Sequence, residues 1–173
     1  MGADSVVLAM ESYPANSFTM AMRDDYLLRF IALLRQALAE IFKFREGGRY
    51  EAALHAAFAA QERLFSRTTA ELSKLSLDEL LRLLRLDEST TAAREKVLGY
   101  ASLLKETGLT YEAMGREPLA TGCFQLALQV MLSVAAEDGA CSEELREKMS
   151  ELLSKIPPKE LHEPVKEMLR TLT

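Results

Sequence analysis

Apolar residues recur three or four positions apart along most of this chain. In the first such segment they are Leu27, Phe30, Ile31, Leu34, Leu38 and Ile41. This spacing gathers side chains on one face of an α-helix, whereas a half-buried strand requires strict alternation. Runs in which Val, Ile or Thr alternate with polar residues are almost missing. The pattern predicts an all-α fold of about seven helices.

Capping residues, glycines and prolines divide the chain into predicted elements. Ser76 followed by Glu79 is a capping box, and the Gly47-Gly48 pair supplies left-handed backbone at a turn. We predict helical hairpins over residues 24–66 and 89–137, a short linking helix over 76–86, and C-terminal helices over 142–155 and 163–172. Leucines on several sides of the linking helix predict that it is largely buried between the two hairpins.

Asp24 is predicted to cap the first helix, because residues 1–20 lack a helical period and contain Pro14. Residues 1–21 are therefore assigned to an N-terminal extension. Residues 22–173 are assigned to a single domain, since a chain of 173 residues suffices for one compact core. Whether the extension is ordered, or occupies a groove of the domain, stays open.

Composition narrows the possible partners. The 21 basic residues are scattered among 26 acidic ones, so no surface for nucleic acid is indicated. No apolar run reaches the length of a bilayer span, and no signal sequence is recognised, so we expect no membrane association and a cytoplasmic location. The two cysteines, Cys123 and Cys141, have no His or Cys neighbour at ligand spacing, which indicates neither zinc nor a disulfide framework.

Part of the second hairpin resembles a tetratricopeptide repeat, a helix pair with small residues where the helices touch and large residues between them. The matching positions are Leu104, Thr107, Gly108, Tyr111, Gly115, Ala120, Phe124 and Ala127. A weaker echo lies upstream, at Phe44, Gly48, Tyr50, Ala53, Ala57 and Ala60. The resemblance implies stacked antiparallel hairpins that form an α-α superhelix.

The chain departs from the repeat pattern at three places: Leu104 replaces the bulky aromatic, Thr107 a leucine, and Leu132 the terminal proline. The opening Asp-Asp-Tyr-Leu-Leu-Arg is also similar to an uncharacterised bacterial family of tetratricopeptide-like proteins. That resemblance covers residues 22–173 and implies no known activity.

Residues suited to catalysis are few. Glu51 lies one helical turn before His55, but the sequence offers no further ligand for a metal there, and His162 stands among acidic residues and prolines. Cys123 lies on a predicted buried stripe, where a thiol is a poor nucleophile, and Cys141 has no basic neighbour. No phosphate loop or hydrolase motif occurs. We therefore expect a protein that is not an enzyme and needs no cofactor.

The resemblance implies a concave face made by the first helix of each pair. On this chain the corresponding residues are Arg35, Leu38, Phe42, Arg45, Ser102, Lys105, Glu106, Leu109 and Glu112. Such a mixed apolar and charged face suits a peptide, a partner protein or a second copy of the chain. Two alternatives stay open: an enzyme or small-ligand carrier with a pocket between hairpins, and a structural subunit of a larger complex.

Overall fold

The computed structural model describes residues 15–172, and these residues form eight α-helices and one 3-10 turn with no strand. The α-helices are α1 (Ala15–Glu46), α2 (Tyr50–Phe65), α3 (Thr69–Leu72), α4 (Leu77–Arg85), α5 (Thr90–Ala113), α6 (Glu117–Asp138), α7 (Glu143–Lys155) and α8 (Glu163–Leu172); the 3-10 turn is Pro158–Glu160. The predicted all-α class is confirmed.

Most helix ends follow from local chemistry. The Ser76 hydroxyl accepts a hydrogen bond from the Glu79 backbone N–H, and the Glu79 carboxylate accepts one from the Ser76 N–H. Gly48 and Gly115 end α1 and α5 with left-handed backbone at φ 71° and 73°, which glycine adopts without steric cost. Gly47, predicted to share this role, does not have a positive φ.

The start of the first helix differs from the prediction. It begins at Ala15, so Asp24 lies inside α1 and caps nothing, and the predicted boundary between residues 21 and 22 falls within this helix. Residues 15–23 contain no glycine or proline, and each residue added to a formed helix gains one backbone hydrogen bond. Residues 1–14 of the predicted extension lie outside the described part of the chain.

Two antiparallel pairs, α1 with α2 and α5 with α6, form the centre of the molecule. Helix α5 also packs on both α1 and α2, while α7 and α8 pack on α6. The Phe65 ring of α2 joins the two halves, because it lies edge-on to Phe30 of α1 at 5.8 Å and to Tyr100 of α5 at 5.5 Å. The pairs therefore form one continuous stack.

The linking segment packs differently from the prediction. Leu80, Leu81 and Leu84 of α4 are buried against α5 and α6 of the second pair. These three leucines are therefore buried as predicted, but they pack on the second pair, and Leu86 just after α4 stays 61% exposed. The short helix α3, held by a second capping box of Thr68 and Glu71, was not predicted.

Helix α6 is long and apolar enough to span a membrane, judged by length and composition alone. Its most apolar window is 61% buried within the protein, as in the core helix of a folded domain. Phe124, Ala127, Leu128 and Met131 are among the side chains it buries.

Candidate functional site

Helices α1, α5 and α7 run parallel to one another on one side of the stack. Between α1 and α5, Gly99 lies close to Leu34, and further along both helices Arg45 forms an ion pair with Glu106. The parallel course of α5 and α7 follows in the same way from two ion pairs. Lys105 Nζ is 2.6 Å from Glu151, and Lys155 Nζ is 2.8 Å from Glu112.

Two cavities lie along α5, and we call the surface that contains both of them the α5 groove. One cavity of about 250 Å³ lies between α1, α5 and the start of α7, and is lined in part by Leu34, Arg35, Leu98, Ser102 and Lys148. A second cavity of about 480 Å³ opens at the other end of α5. The residues that line it are Arg45, Glu46, Tyr50, Leu109, Glu112 and Ala113.

Four of the charged residues predicted on the concave face are engaged in ion pairs. Arg45 and Glu106 bridge α1 and α5 at 2.5 Å, with side chains only 11% and 19% exposed. Lys105 and Glu112 reach across to α7, as described above. These charges therefore tie the three helices together and are not free for a ligand.

The remaining predicted residues leave a different surface. Phe42 is 53% exposed, and the Arg45 guanidinium lies 5.5 Å from its ring centroid. Leu38 and Leu109 are half-buried. Ser102 donates its hydroxyl hydrogen bond to the carbonyl of Leu98 within α5. The accessible part of the predicted face is thus mainly apolar.

Arg35, on α1, is the remaining charged residue of the predicted concave face. It is exposed, it lines the cavity beside α7, and it has no ion-pair partner among residues 15–172. It therefore supplies a cation to a cavity that Glu95 and Glu144 also line, without a direct ion pair to either.

The repeat-like residues lie where α5 and α6 meet. A Cβ on Gly108 would come within 2.6 Å of the Phe124 ring, so the two helices approach as closely as glycine permits. Ala120, Phe124 and Ala127 are buried, and Leu104 is 9% exposed. Tyr111 is half-buried and Gly115 makes the turn. These residues position α5 and do not line the cavity beside α7.

Groups suited to catalysis are dispersed. His55 and His162 are exposed, on α2 and at the start of α8. Burial raises the pKa of the Cys123 thiol to about 11, so it is uncharged at neutral pH. Cys141 lies in the turn before α7. Within residues 15–172 no cluster of three His, Cys, Asp or Glu side chains has the geometry to hold a metal ion.

Sequence reasoning missed the contribution of α7 to the groove. Leu145 and Lys148 line the cavity beside α1, and Glu151 and Lys155 hold α7 against α5. Their spacing of three or four residues places them on one helical face, and this was the signal available in the sequence. The helix that packs against this face is decided by the tertiary structure, and the sequence pattern does not predict it.

Comparison of the chain with protein-family models, with curated proteins and with solved structures finds no match.

Proposed function

We propose that this protein is a tetratricopeptide-like interaction module that binds another polypeptide in the α5 groove. The observation that carries the proposal is the parallel layer of α1, α5 and α7, together with the exposed Phe42 beside Arg45 on α1. Parallel first helices that form a concave layer are the arrangement by which tetratricopeptide-like stacks bind peptides. The proposed role is that of an adaptor and not of an enzyme.

The shape of the groove supports a peptide as occupant. Its two cavities lie at opposite ends of the α5 segment between Leu98 and Ala113, and each is lined by apolar and charged side chains. A chain segment can reach both cavities, whereas a compact small molecule can occupy only one of them. Exposed aromatic side chains next to arginine are typical of positions that carry much of the binding energy at interfaces.

The internal ion pairs support a preformed groove. Arg45 with Glu106, and Lys105 with Glu151, hold α1 and α7 at fixed positions on either side of α5. A groove that is already ordered loses little conformational entropy when a ligand binds. We propose that these residues shape the groove, while Leu38, Phe42 and Leu109 contact the partner.

The partner is either a different protein or a second copy of this chain. The N-terminal part of α1 exposes Met20, Met22 and Leu28, each by more than 60% of its surface, and exposed apolar side chains of this kind favour self-association. Light scattering of the purified protein over a range of concentrations measures this directly.

The test is peptide binding to the whole chain and to a groove variant. Peptides selected from a random display library on the wild type are measured by fluorescence anisotropy against Phe42→Ala combined with Leu109→Ala. We expect a loss of about 2 kcal/mol or more, or roughly 30-fold in Kd, because both truncations remove contact area at the proposed centre of the interface.

The matched control is Leu119→Ala on α6, outside the groove, where the leucine is 48% exposed against 53% for Phe42. It should bind the selected peptides as the wild type does. Equal affinity for the groove variant and the wild type, or an equal loss in the control, would show that the α5 groove is not the binding site.

A further inference from the structure

We propose that the cleft between α3 and α4 binds a single-chain amphiphile with an anionic head group, of the fatty-acid type. This site is separate from the α5 groove and does not depend on the proposed function. It lies in the segment that links the two helix pairs, and we call it the linker cleft. Its apolar wall would hold the aliphatic chain, and two arginines at its rim would hold the head group.

The cleft has the size of a small-ligand site. Its volume is about 450 Å³, within the roughly 300–1,000 Å³ typical of small-molecule pockets. Four leucines form its apolar wall, two from each side: Leu72 and Leu75 near α3, and Leu83 and Leu86 near the end of α4. Leu72 is 3% exposed and lies at the base, whereas Leu86 is 61% exposed.

The leucine wall is incompletely covered by the chain itself. Leu75 and Leu83 are only half-buried although they face a common cleft. A capping box at the start of each helix sets its direction, with Glu71 bound to Thr68 and Glu79 bound to Ser76. An aliphatic chain in the cleft would gain about 25 cal/mol for each Å² of apolar surface removed from water.

The rim carries four charges, and the two carboxylates are already engaged. Glu71 Oε2 accepts hydrogen bonds from the Thr68 N–H at 2.7 Å and from its hydroxyl, and Glu79 Oε2 accepts one from the Ser76 N–H at 2.7 Å. The backbone hydrogen bond is the main cause that lowers the pKa of each carboxyl group, so both stay charged and bound at their caps.

The two arginines are the cationic groups that a ligand can meet: Arg67 and Arg82 lie near enough to Glu71 and Glu79 to help lower the pKa of those carboxyl groups, but they form no direct ion pair with them. Arg67 and Arg82 are exposed, line the cleft, and have no ion-pair partner within 4.0 Å among residues 15–172. A guanidinium group binds a carboxylate through two parallel hydrogen bonds. An apolar wall with arginines at its rim therefore matches a molecule with an aliphatic tail and a carboxylate head.

The experiment uses three probes that each contain a straight chain of ten carbons but differ in head-group charge: decanoate, decanol and decyltrimethylammonium. Binding to the full chain is measured by calorimetry below the micelle-forming range, and leucine methyl resonances locate the bound probe. We expect decanoate to bind most tightly and the cation least. We also expect decanoate to shift the methyl signals of Leu75, Leu83 and Leu86.

The variant Arg67→Gln with Arg82→Gln should weaken decanoate binding by about tenfold or more, towards the affinity of decanol, because charge-assisted hydrogen bonds are lost. Decanol binding should not change. The matched control is Arg63→Gln on α2, where the arginine is also exposed and lies outside the cleft.

The inference would be overturned if decanoate did not bind. It would also be overturned if all three probes bound equally and the arginine substitutions had no effect, or if the methyl shifts lay outside the linker cleft. None of these outcomes bears on peptide binding in the α5 groove, so this inference and the proposed function can fail separately.

Discussion

At the scale of single residues, the two cysteines show how the environment sets reactivity. Cys123 lies on α6 with its Cβ 3.1 Å from the position that a Cβ on Gly108 would occupy. Burial raises the pKa of its thiol to about 11. The thiolate is the reactive form, so a thiol with this pKa is nearly inert at neutral pH.

We predict that Cys123 reacts slowly with alkylating reagents. At pH 8 only about one Cys123 in 1,000 is ionised, and its rate should rise about tenfold per pH unit as pH approaches 11. Cys141→Ser and Cys123→Ser each leave one thiol, and a thiol assay on the folded protein measures the two rates. Modification of Cys123 as fast as Cys141 would contradict the raised pKa of this half-buried thiol.

At the scale of elements, the contact between α5 and α6 depends on a missing side chain. A Cβ on Gly108 would lie 2.6 and 2.8 Å from two carbons of the Phe124 ring, which is itself buried. Gly122 is also inside a helix, but a Cβ there would meet nothing within 4 Å. A side chain would therefore clash at Gly108 but would fit without contact at Gly122.

Alanine substitution should separate the two glycines. Gly108→Ala should lower the free energy of unfolding by about 1–3 kcal/mol, because the new methyl group overpacks the interface. Gly122→Ala should raise it by up to about 1 kcal/mol, because alanine favours the helix and clashes with nothing. Urea denaturation of both variants measures this. Equal effects would exclude the close approach of α5 and α6.

At the scale of the whole molecule, burial of ionisable groups makes stability depend on pH. Burial raises the pKa of Tyr100 from 10.0 to about 12, and that of Cys123 from 9.0 to about 11. Both groups hold their protons more tightly in the folded state, so the unfolded chain loses protons first as pH rises. Their contribution to stability is complete below pH 9 and is lost between pH 9 and 12.

Replacement of Tyr100 should reduce this loss. Tyr100→Phe keeps the edge-on contact with Phe65 but removes the ionisable hydroxyl, so the variant should lose less stability than the wild type between pH 10 and 12. At pH 8 the two should differ by about 1 kcal/mol or less. Urea midpoints at pH 8, 10 and 11 test this, and parallel curves would contradict it.

The sequence by itself determined the helical class and nearly all helix ends. These depend on residues within a few positions of one another, such as Ser76 with Glu79, or Gly115 at its turn. Where no local stop signal exists, as between Ala15 and Asp24, the predicted start was wrong. The short helix α3 was missed although its capping box is also local.

Only the tertiary structure decided which predicted site residues are accessible. Lys105 and Glu112 are surface charges by sequence, yet their partners Glu151 and Lys155 lie 46 and 43 positions away. Ion pairs between helices depend on how those helices pack, and no local pattern states that register. The linker cleft went unforeseen for the same reason, because Leu83 and Leu86 of the predicted linking helix were expected to be buried between the hairpins and instead border an open cavity.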